Sequence, residues 1–295
     1  MNNKNVVHFK NTKLKKIINV YQEKYKNGFA QGLGDFLNGS FCLLQICIKF
    51  NMVFDIDISN HPISKFFIKN NEKKDDVNYN DIIYYQIENN IRINPFKRYN
   101  NLITYLNTID SEVLYIFCNF APFYHVKDFG RTIIQKKIIP TMEIDENIKE
   151  ILKKFNLKYN EYDIIHIRTG DKYLLNKNKC ISKKEIYNYK QMILSNTFSE
   201  KKYIIISDNM YLKKHINLGN NFYIIHNEIS HTGENVEHKD ECLKGTIIDF
   251  FLMSKASKII SISLKSRGGT GFSKLCGILF NISYKSLLID MGYHL

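Results

Sequence analysis

The second half of this chain alternates short apolar runs with longer amphipathic ones, and that alternation leaves few folds open. Tyr162 to Arg168, Tyr203 to Ser207, Phe222 to His226, Lys258 to Ser263 and Leu287 to Asp290 read as strands. Helices are predicted between them at Ser182 to Leu194, Met210 to Ile216, Leu243 to Ala256 and Phe272 to Phe280. Ser182 and Glu185 have the capping-box spacing at the start of the first of these helices. Strands that alternate with helices pair in parallel, because each return is made by a crossover, and a parallel sheet needs cover on both faces.

The first half is less regular. Gly28 to Gly34 is a Gly-rich turn that leads into an apolar helix, Asp35 to Phe50, and a strand, Met52 to Ile58. A polar stretch from Lys69 to Asn80 reads as an exposed loop or insertion, and Asn70 to Lys97 matches no assignable pattern. Glu112 to Asn119 reads as a buried strand. Asp145 to Phe155 reads as an amphipathic helix, with Ile148, Ile151, Leu152 and Phe155 at helical spacing. The expected organisation is two domains, residues 1–158 and 159–295, divided near Asn156 to Glu161.

With 295 residues, 44% of them hydrophobic, the chain can build one large core or two ordinary ones. A net charge of +13 suggests an anionic partner: nucleic acid, a membrane surface or a phosphorylated small molecule. The lysines are scattered, however, as at Lys15 and Lys16, Lys136 and Lys137, and Lys201 and Lys202. No basic block or helix-turn-helix, RNA-recognition or zinc-finger pattern is visible, so nucleic acid is not the expected partner. None of the six cysteines forms a C-x-x-C pair, which suits reduced thiols and a cytoplasmic location. No apolar leader and no run near about 18 apolar residues is present, so neither a signal peptide nor a membrane span is expected.

Five constellations could carry chemistry. The segment YDIIHIRTGD, Tyr162 to Asp171, ends a predicted strand in His166, Arg168, a Thr-Gly turn and Asp171. Strand ends that feed such turns are where open α/β sheets bind ligands, and a guanidinium fork suits phosphate oxygens. The structural alternative is a strand edge whose Arg168 pairs with a nearby carboxylate. The tract Ser261 to Ser273 joins a strand to a helix through Gly268, Gly269 and Gly271, and its hydroxyls and helix amides suit an anion. It lacks the Gly-Lys-Ser/Thr ending of a P-loop. Gly28 to Asn38 is a second Gly-rich turn into a helix, with Asp35 expected either to cap that helix or to face a cleft between the two halves. Asp249 opens the apolar tract DFFLMSKASKII, where an acid needs a partner or a ligand. Metal sites are weaker readings: His226, His231, Glu234, Glu237, His238, Asp240 and Glu241 fit no familiar ligand spacing, and Asp55 with Asp57 form an isolated acid pair.

Taken in order, these pieces resemble the GT-B fucosyltransferases, the α-1,2 family most closely, with the α-1,6- and protein O-fucosyltransferases behind it. The α-1,2 family shows G-G-L-G-N, H-x-R-x-G-D, a strand ending S-D-D, then D-L-x-L-M-S-x-C-K-x-x-I and S-S-F-S. This chain has QGLGD at Gln31 to Asp35, HIRTGD at His166 to Asp171, SDN at Ser207 to Asn209, DFFLMSKASKIISIS at Asp249 to Ser263 and GFS at Gly271 to Ser273. The resemblance implies an α/β fold of two Rossmann-like domains facing a cleft. It also implies inverting, metal-independent transfer of fucose from GDP-fucose to a glycan hydroxyl, with no other cofactor. Arg168 would hold the β-phosphate, and His166 and Asp249 the guanosine. Gly271, Phe272 and Ser273, with hydroxyls such as Ser263, would hold the diphosphate. Gly32, Leu33 and Gly34 would close over the donor, and Asp35, in place of the family's Asn, could serve as general base or position the donor.

The chain also departs from the family. It has no Trp at all, where the family follows S-S-F-S with a Trp-rich tract, so the sugar pocket is shaped differently. Alternatives are a rhamnose or xylose donor, or a basic nucleotide- or nucleic-acid-binding protein without catalysis.

Overall fold

A computed structural model describes residues 7–29, 31–68, 77–85, 95–119, 128–170, 173, 180–233, 239–265 and 270–290. The chain divides into two compact units: 1–64, 69–137 and 233–235 form one, and 65–68, 138–232 and 236–295 the other.

In chain order the first unit holds β1 (Lys16–Val20), β2 (Lys24–Tyr25), β3 (Gly28–Phe29), α1 (Leu33–Lys49), β4 (Val53–Asp57), β5 (Ile83–Tyr85), α2 (Pro95–Asn107), β6 (Val113–Cys118) and α3 (Asp128–Gln135). Its main sheet is parallel in the order β4-β1-β6-β5, and β2 and β3 pair as a small antiparallel hairpin. Helix α1 is buried on most sides, including Leu33, Phe36, Leu37 and Phe41. It comes so close to the end of β6 that a Cβ on Gly39 would lie 1.4 Å from the Cys118 carbonyl oxygen, so glycine is required there.

The central strand, β1, is absent from the sequence reading. Its run KIINV sits in a Lys-rich stretch and is interrupted by Asn19, which is fully buried. That polar residue is tolerated because tertiary partners satisfy it. Its Nδ2 donates to Ser40 Oγ at 2.8 Å, and its Oδ1 accepts from the Cys118 N–H at 3.1 Å.

The second unit holds α4 (Met142–Lys154), β7 (Tyr162–Arg168), α5 (Lys183–Leu194), β8 (Lys202–Ser207), α6 (Met210–His215), β9 (Phe222–Ile224), α7 (Asp240–Ser254), β10 (Lys258–Leu264), α8 (Gly271–Phe280) and β11 (Ser283–Ile289). Helix α4 therefore lies on the other side of the division from where a boundary near residue 158 put it. The reason is packing: its buried stripe, Ile144, Ile148 and Leu152, belongs to a helix set against α7. The capping box at Ser182 and Glu185 is formed as expected.

The five strands of this unit are parallel in the order β11-β10-β7-β8-β9. Counted within the unit, that is the doubly wound Rossmann order, in which the chain turns back between its first and fourth strands. Here those are β7 and β10. One face of this pair carries Ile165, Ile167, Ile260 and Ile262 into a core with Ile186, Tyr189 and Ile193 of α5. The register pairs His166 with Ser261 and Arg168 with Ser263, so the opposite face carries a polar set.

Candidate functional site

That polar set lies at the carboxyl ends of the two strands that flank the switch point, where open parallel sheets bind ligands. Arg168, the last residue of β7, donates from Nη1 to Asp208 Oδ2 at 2.7 Å. Asp208 follows β8, and it also accepts from the Thr169 N–H and Oγ1, each at 2.8 Å, and from the Gly170 N–H at 3.1 Å. Gly170 has φ +112°, a conformation that side chains resist, so the Thr-Gly turn depends on glycine. A carboxylate only 5% exposed is costly to bury alone. Four donors compensate it, and in return it fixes the turn and one edge of the guanidinium. The pairing that served as the structural alternative is therefore present, and it orients Arg168 ahead of any anion.

The second observation concerns atoms without partners. Among the described residues, six buried side-chain polar atoms make no hydrogen bond: His166 Nδ1, Asn227 Nδ2, Asp249 Oδ1, and the Oγ atoms of Ser261, Ser263 and Ser273. Each such atom costs about 1–3 kcal/mol, so native interiors hold few of them. Here they gather. His166, Ser261 and Ser263 share the polar sheet face. The Phe272 ring lies 5.8 Å from the His166 ring and 5.5 Å from that of Phe250, the neighbour of Asp249. Ser273 sits in the first turn of α8, whose cap residue, Thr270, makes no side-chain cap bond. First-turn amides, serine hydroxyls and a fixed guanidinium together suit a bound anion.

Burial also sets the charge states. It pulls the His166 imidazole down to about 4, with Asp208 opposing and Arg168 adding to the shift. The ring is neutral near pH 7, with one donor and one acceptor nitrogen. Burial pushes the Asp249 carboxyl up to about 7, and the Lys213 ammonium opposes it. Lys213, on α6, is only 1% exposed, and burial lowers its pKa against the pull of Asp249, Asp208 and Glu228. Its Nζ donates to the Asn227 carbonyl at 2.5 Å.

His166, Arg168, Asp249, Ser263, Gly271, Phe272 and Ser273 thus lie around one end of the second unit's sheet. Sequence reasoning assigned no role to Asp208, Asn227 or Lys213, whereas Ser261 belonged to the tract whose hydroxyls were read as anion donors. The S-D pair at the end of β8 was a usable signal for Asp208. A single buried lysine on a short helix leaves no pattern to read. Asp171, Gly268 and Gly269 lie outside the described residues.

In the first unit, Gly32, Leu33, Gly34 and Asp35 open α1. The cap position is Gly32, so Asp35 occupies the first turn and is not the cap. Leu33 is 2% exposed and belongs to the buried side of α1. Tyr84 is pushed up to about 12 by burial and by the charge of Asp35, and its hydroxyl accepts from Asn119 Nδ2 at 2.9 Å.

The acid pair is divided between separate partners. Asp55 pairs with Lys137 at 2.8 Å and Lys16 at 3.2 Å. Asp57 accepts from Ser59 Oγ at 2.6 Å and Tyr79 OH at 2.7 Å. In the His226 to Glu241 loop, His226 is exposed and Asp240 pairs with Lys65, whereas Glu234, Glu237 and His238 lie outside the described residues. Among the described residues, no group of three metal-ligating side chains forms, and no helix is long and apolar enough to cross a membrane.

No family model matches this chain, and no curated protein matches it in sequence. Solved structures do. NodZ, an alpha-1,6-fucosyltransferase co-crystallised with GDP, is 14% identical, with a TM-score of 0.51 over 91% of this chain and 93% of that one. Selenomethionine NodZ from Bradyrhizobium is 13% identical, with a TM-score of 0.52 over 95% and 96%. NodZ soaked with GDP-fucose is 12% identical, with a TM-score of 0.51 over 95% and 96%. At such identities the likeness is one of fold: this chain has the mixed α/β, parallel-sheet architecture of the GT-B fucosyltransferases. None of these three is an α-1,2 enzyme.

Proposed function

We propose that this protein is an inverting glycosyltransferase that moves fucose from GDP-fucose to a glycan hydroxyl. The observation that carries the proposal is the gathering of orphaned buried polar atoms at the second unit's switch point. His166, Asp249, Ser263 and Ser273 are the residues whose order along the chain resembles a GDP-fucose site, and they hold four of those atoms. A nucleoside diphosphate supplies what they need. The base and ribose bring donors and acceptors to Asp249 and His166, and the diphosphate brings oxygens to the serine hydroxyls and the first-turn amides of α8.

The reaction separates fucose from GDP, so negative charge grows on the β-phosphate as the glycosidic bond breaks. Arg168, already oriented by Asp208, stabilises that charge without reorganising, and the α8 amides add to it. In this reading the two replace a divalent cation. Asp35 removes the proton from the acceptor hydroxyl. The tracts HIRTGD and DFFLMSKASKIISIS favour an α-1,2 linkage.

The test is a thermal-shift series with GDP, UDP and ADP, followed by donor hydrolysis and transfer with excess chelator present. Stabilisation by GDP and chelator-resistant turnover of GDP-fucose are expected. Stabilisation by UDP alone would overturn the donor, and loss of turnover in chelator would overturn the metal-free chemistry. In the same assay Asp35→Asn should slow transfer about 10²-fold while GDP affinity stays the same; a normal rate removes Asp35 as the base.

A further inference from the structure

One of the orphaned atoms belongs to a residue with no role so far. Asn227 follows β9, and its Nδ2 is buried without a partner. The surrounding geometry holds this residue on two sides. From α6, Lys213 Nζ donates to its backbone carbonyl at 2.5 Å. From α7, Gly245 approaches so closely that a Cβ there would lie 2.1 Å from the Glu228 carbonyl oxygen and 3.2 Å from Asn227 Cβ. Thr246 then pins the following residues, donating to the Ser230 carbonyl at 2.9 Å and accepting from its N–H at 3.1 Å.

Asp249 lies one helical turn beyond Gly245, on the same face of α7. An orphaned amide donor and an orphaned carboxylate oxygen are therefore carried by one rigid corner, with the Lys213 ammonium behind both. Such a pair suits a ligand edge that offers an acceptor next to a donor. Guanine offers that edge, with its 6-oxo beside N1–H and the 2-amino group. Adenine reverses it, with a 6-amino donor beside an acceptor nitrogen, and would leave both protein groups unmatched.

We propose that the Asn227 side chain is a specificity-determining contact: its Nδ2–H donates to the guanine 6-oxo while the Asp249 carboxylate accepts from N1–H and the 2-amino group. This inference rests on the GDP reading above. It adds a second reader of the base, and it assigns Lys213 to positioning that reader through the Asn227 carbonyl. A buried 6-oxo without a donor loses about 1–3 kcal/mol, or roughly 5- to 150-fold in affinity.

The experiment measures dissociation constants by calorimetry for the wild type, Asn227→Ala and Asn227→Asp. The nucleotides are GDP, 6-thio-GDP (a weaker acceptor at the same position) and IDP (which lacks the 2-amino group). Wild type should prefer GDP to 6-thio-GDP. Asn227→Ala should bind GDP about 10-fold more weakly, lose that preference, and keep the GDP-to-IDP ratio, which Asp249 sets. Asn227→Asp, close in size and thus a check on folding, should lose about 100-fold for GDP by placing a carboxylate against the 6-oxo. A folded Asn227→Ala or Asn227→Asp protein that retains wild-type GDP affinity and the 6-thio preference overturns the inference alone. A wild type that ignores GDP and binds another nucleotide overturns it together with the GDP reading.

Discussion

The two units differ in where buried polar side chains lack partners among the described residues. In the first, such groups satisfy one another. Asn19 bonds Ser40 and the Cys118 amide, and Asp57 bonds Ser59 and Tyr79. Gln22 donates to the Lys24 and Tyr79 carbonyls at 2.7 and 2.9 Å and accepts from Asn60 at 3.1 Å. In the second unit lie all six orphaned atoms found among the described residues. Both units are parallel sheets covered by helices, so sheet architecture does not explain the contrast. A satisfied network stabilises its own fold. An unsatisfied one lowers stability, so it is expected where a ligand, an ion or water completes it.

The contrast can be broken at several points. The largest effect is expected at Arg168. Arg168→Ala should reduce transfer about 10³-fold, because it removes the preoriented charge at the leaving diphosphate. Arg168→Ala also leaves the buried Asp208 carboxylate without its guanidinium, so the melting temperature should fall as well, although Thr169 and Gly170 still donate to Asp208. Near-normal turnover would reduce Arg168 to a partner of Asp208.

Asp249→Asn should weaken GDP binding about 10²-fold, and it should also stabilise the nucleotide-free protein. The sign follows from linkage. The folded pKa of about 7 lies above the unfolded value of about 3.9, so the folded state holds the proton more tightly. Stability therefore falls as pH rises from about 4 to about 7, by up to about 4 kcal/mol, and stays reduced above that range. Asn carries no such penalty. The variant should melt higher than wild type near pH 8, with the gap closing toward pH 4. A gap independent of pH would mean that the Asp249 carboxylate is not destabilised by burial.

The smallest effect on function is expected in the first unit. Asp57→Ala leaves the Tyr79 and Ser59 donors without their acceptor and should cost about 2 kcal/mol in urea unfolding. GDP affinity of the folded protein should not change. A large loss of GDP affinity at unchanged stability would show that the satisfied network also serves the ligand.

How much of this was legible in sequence depended on whether the signal was local. β7 spans Tyr162–Arg168, the span read from the apolar run that ends in Arg168, and the Ser182–Glu185 cap is present, because strand ends and caps are set by neighbouring residues. β1 was missed because its buried Asn19 breaks the apolar pattern, and what makes Asn19 tolerable lies 99 residues away at Cys118. The side on which α4 falls was not legible for a related reason: α4 is an ordinary amphipathic helix, and nothing within it says which core its stripe will join.

The candidate site shows the same dependence on distance. HIRTGD, DFFLMSKASKII and GFS named the chemical groups, since a guanidinium, an imidazole, a carboxylate and hydroxyls are visible as residue types. The sequence by itself therefore determined an alternating α/β chain whose later half carries a guanidinium, an imidazole, a carboxylate and hydroxyls in those tracts. Only the tertiary structure decided that Asp208 fixes Arg168, that Lys213 lies near Asp249 and donates to the Asn227 carbonyl, and which buried atoms lack partners. Those facts depend on contacts between strands and helices far apart in sequence, and hydrogen-bond satisfaction exists only once such contacts have formed.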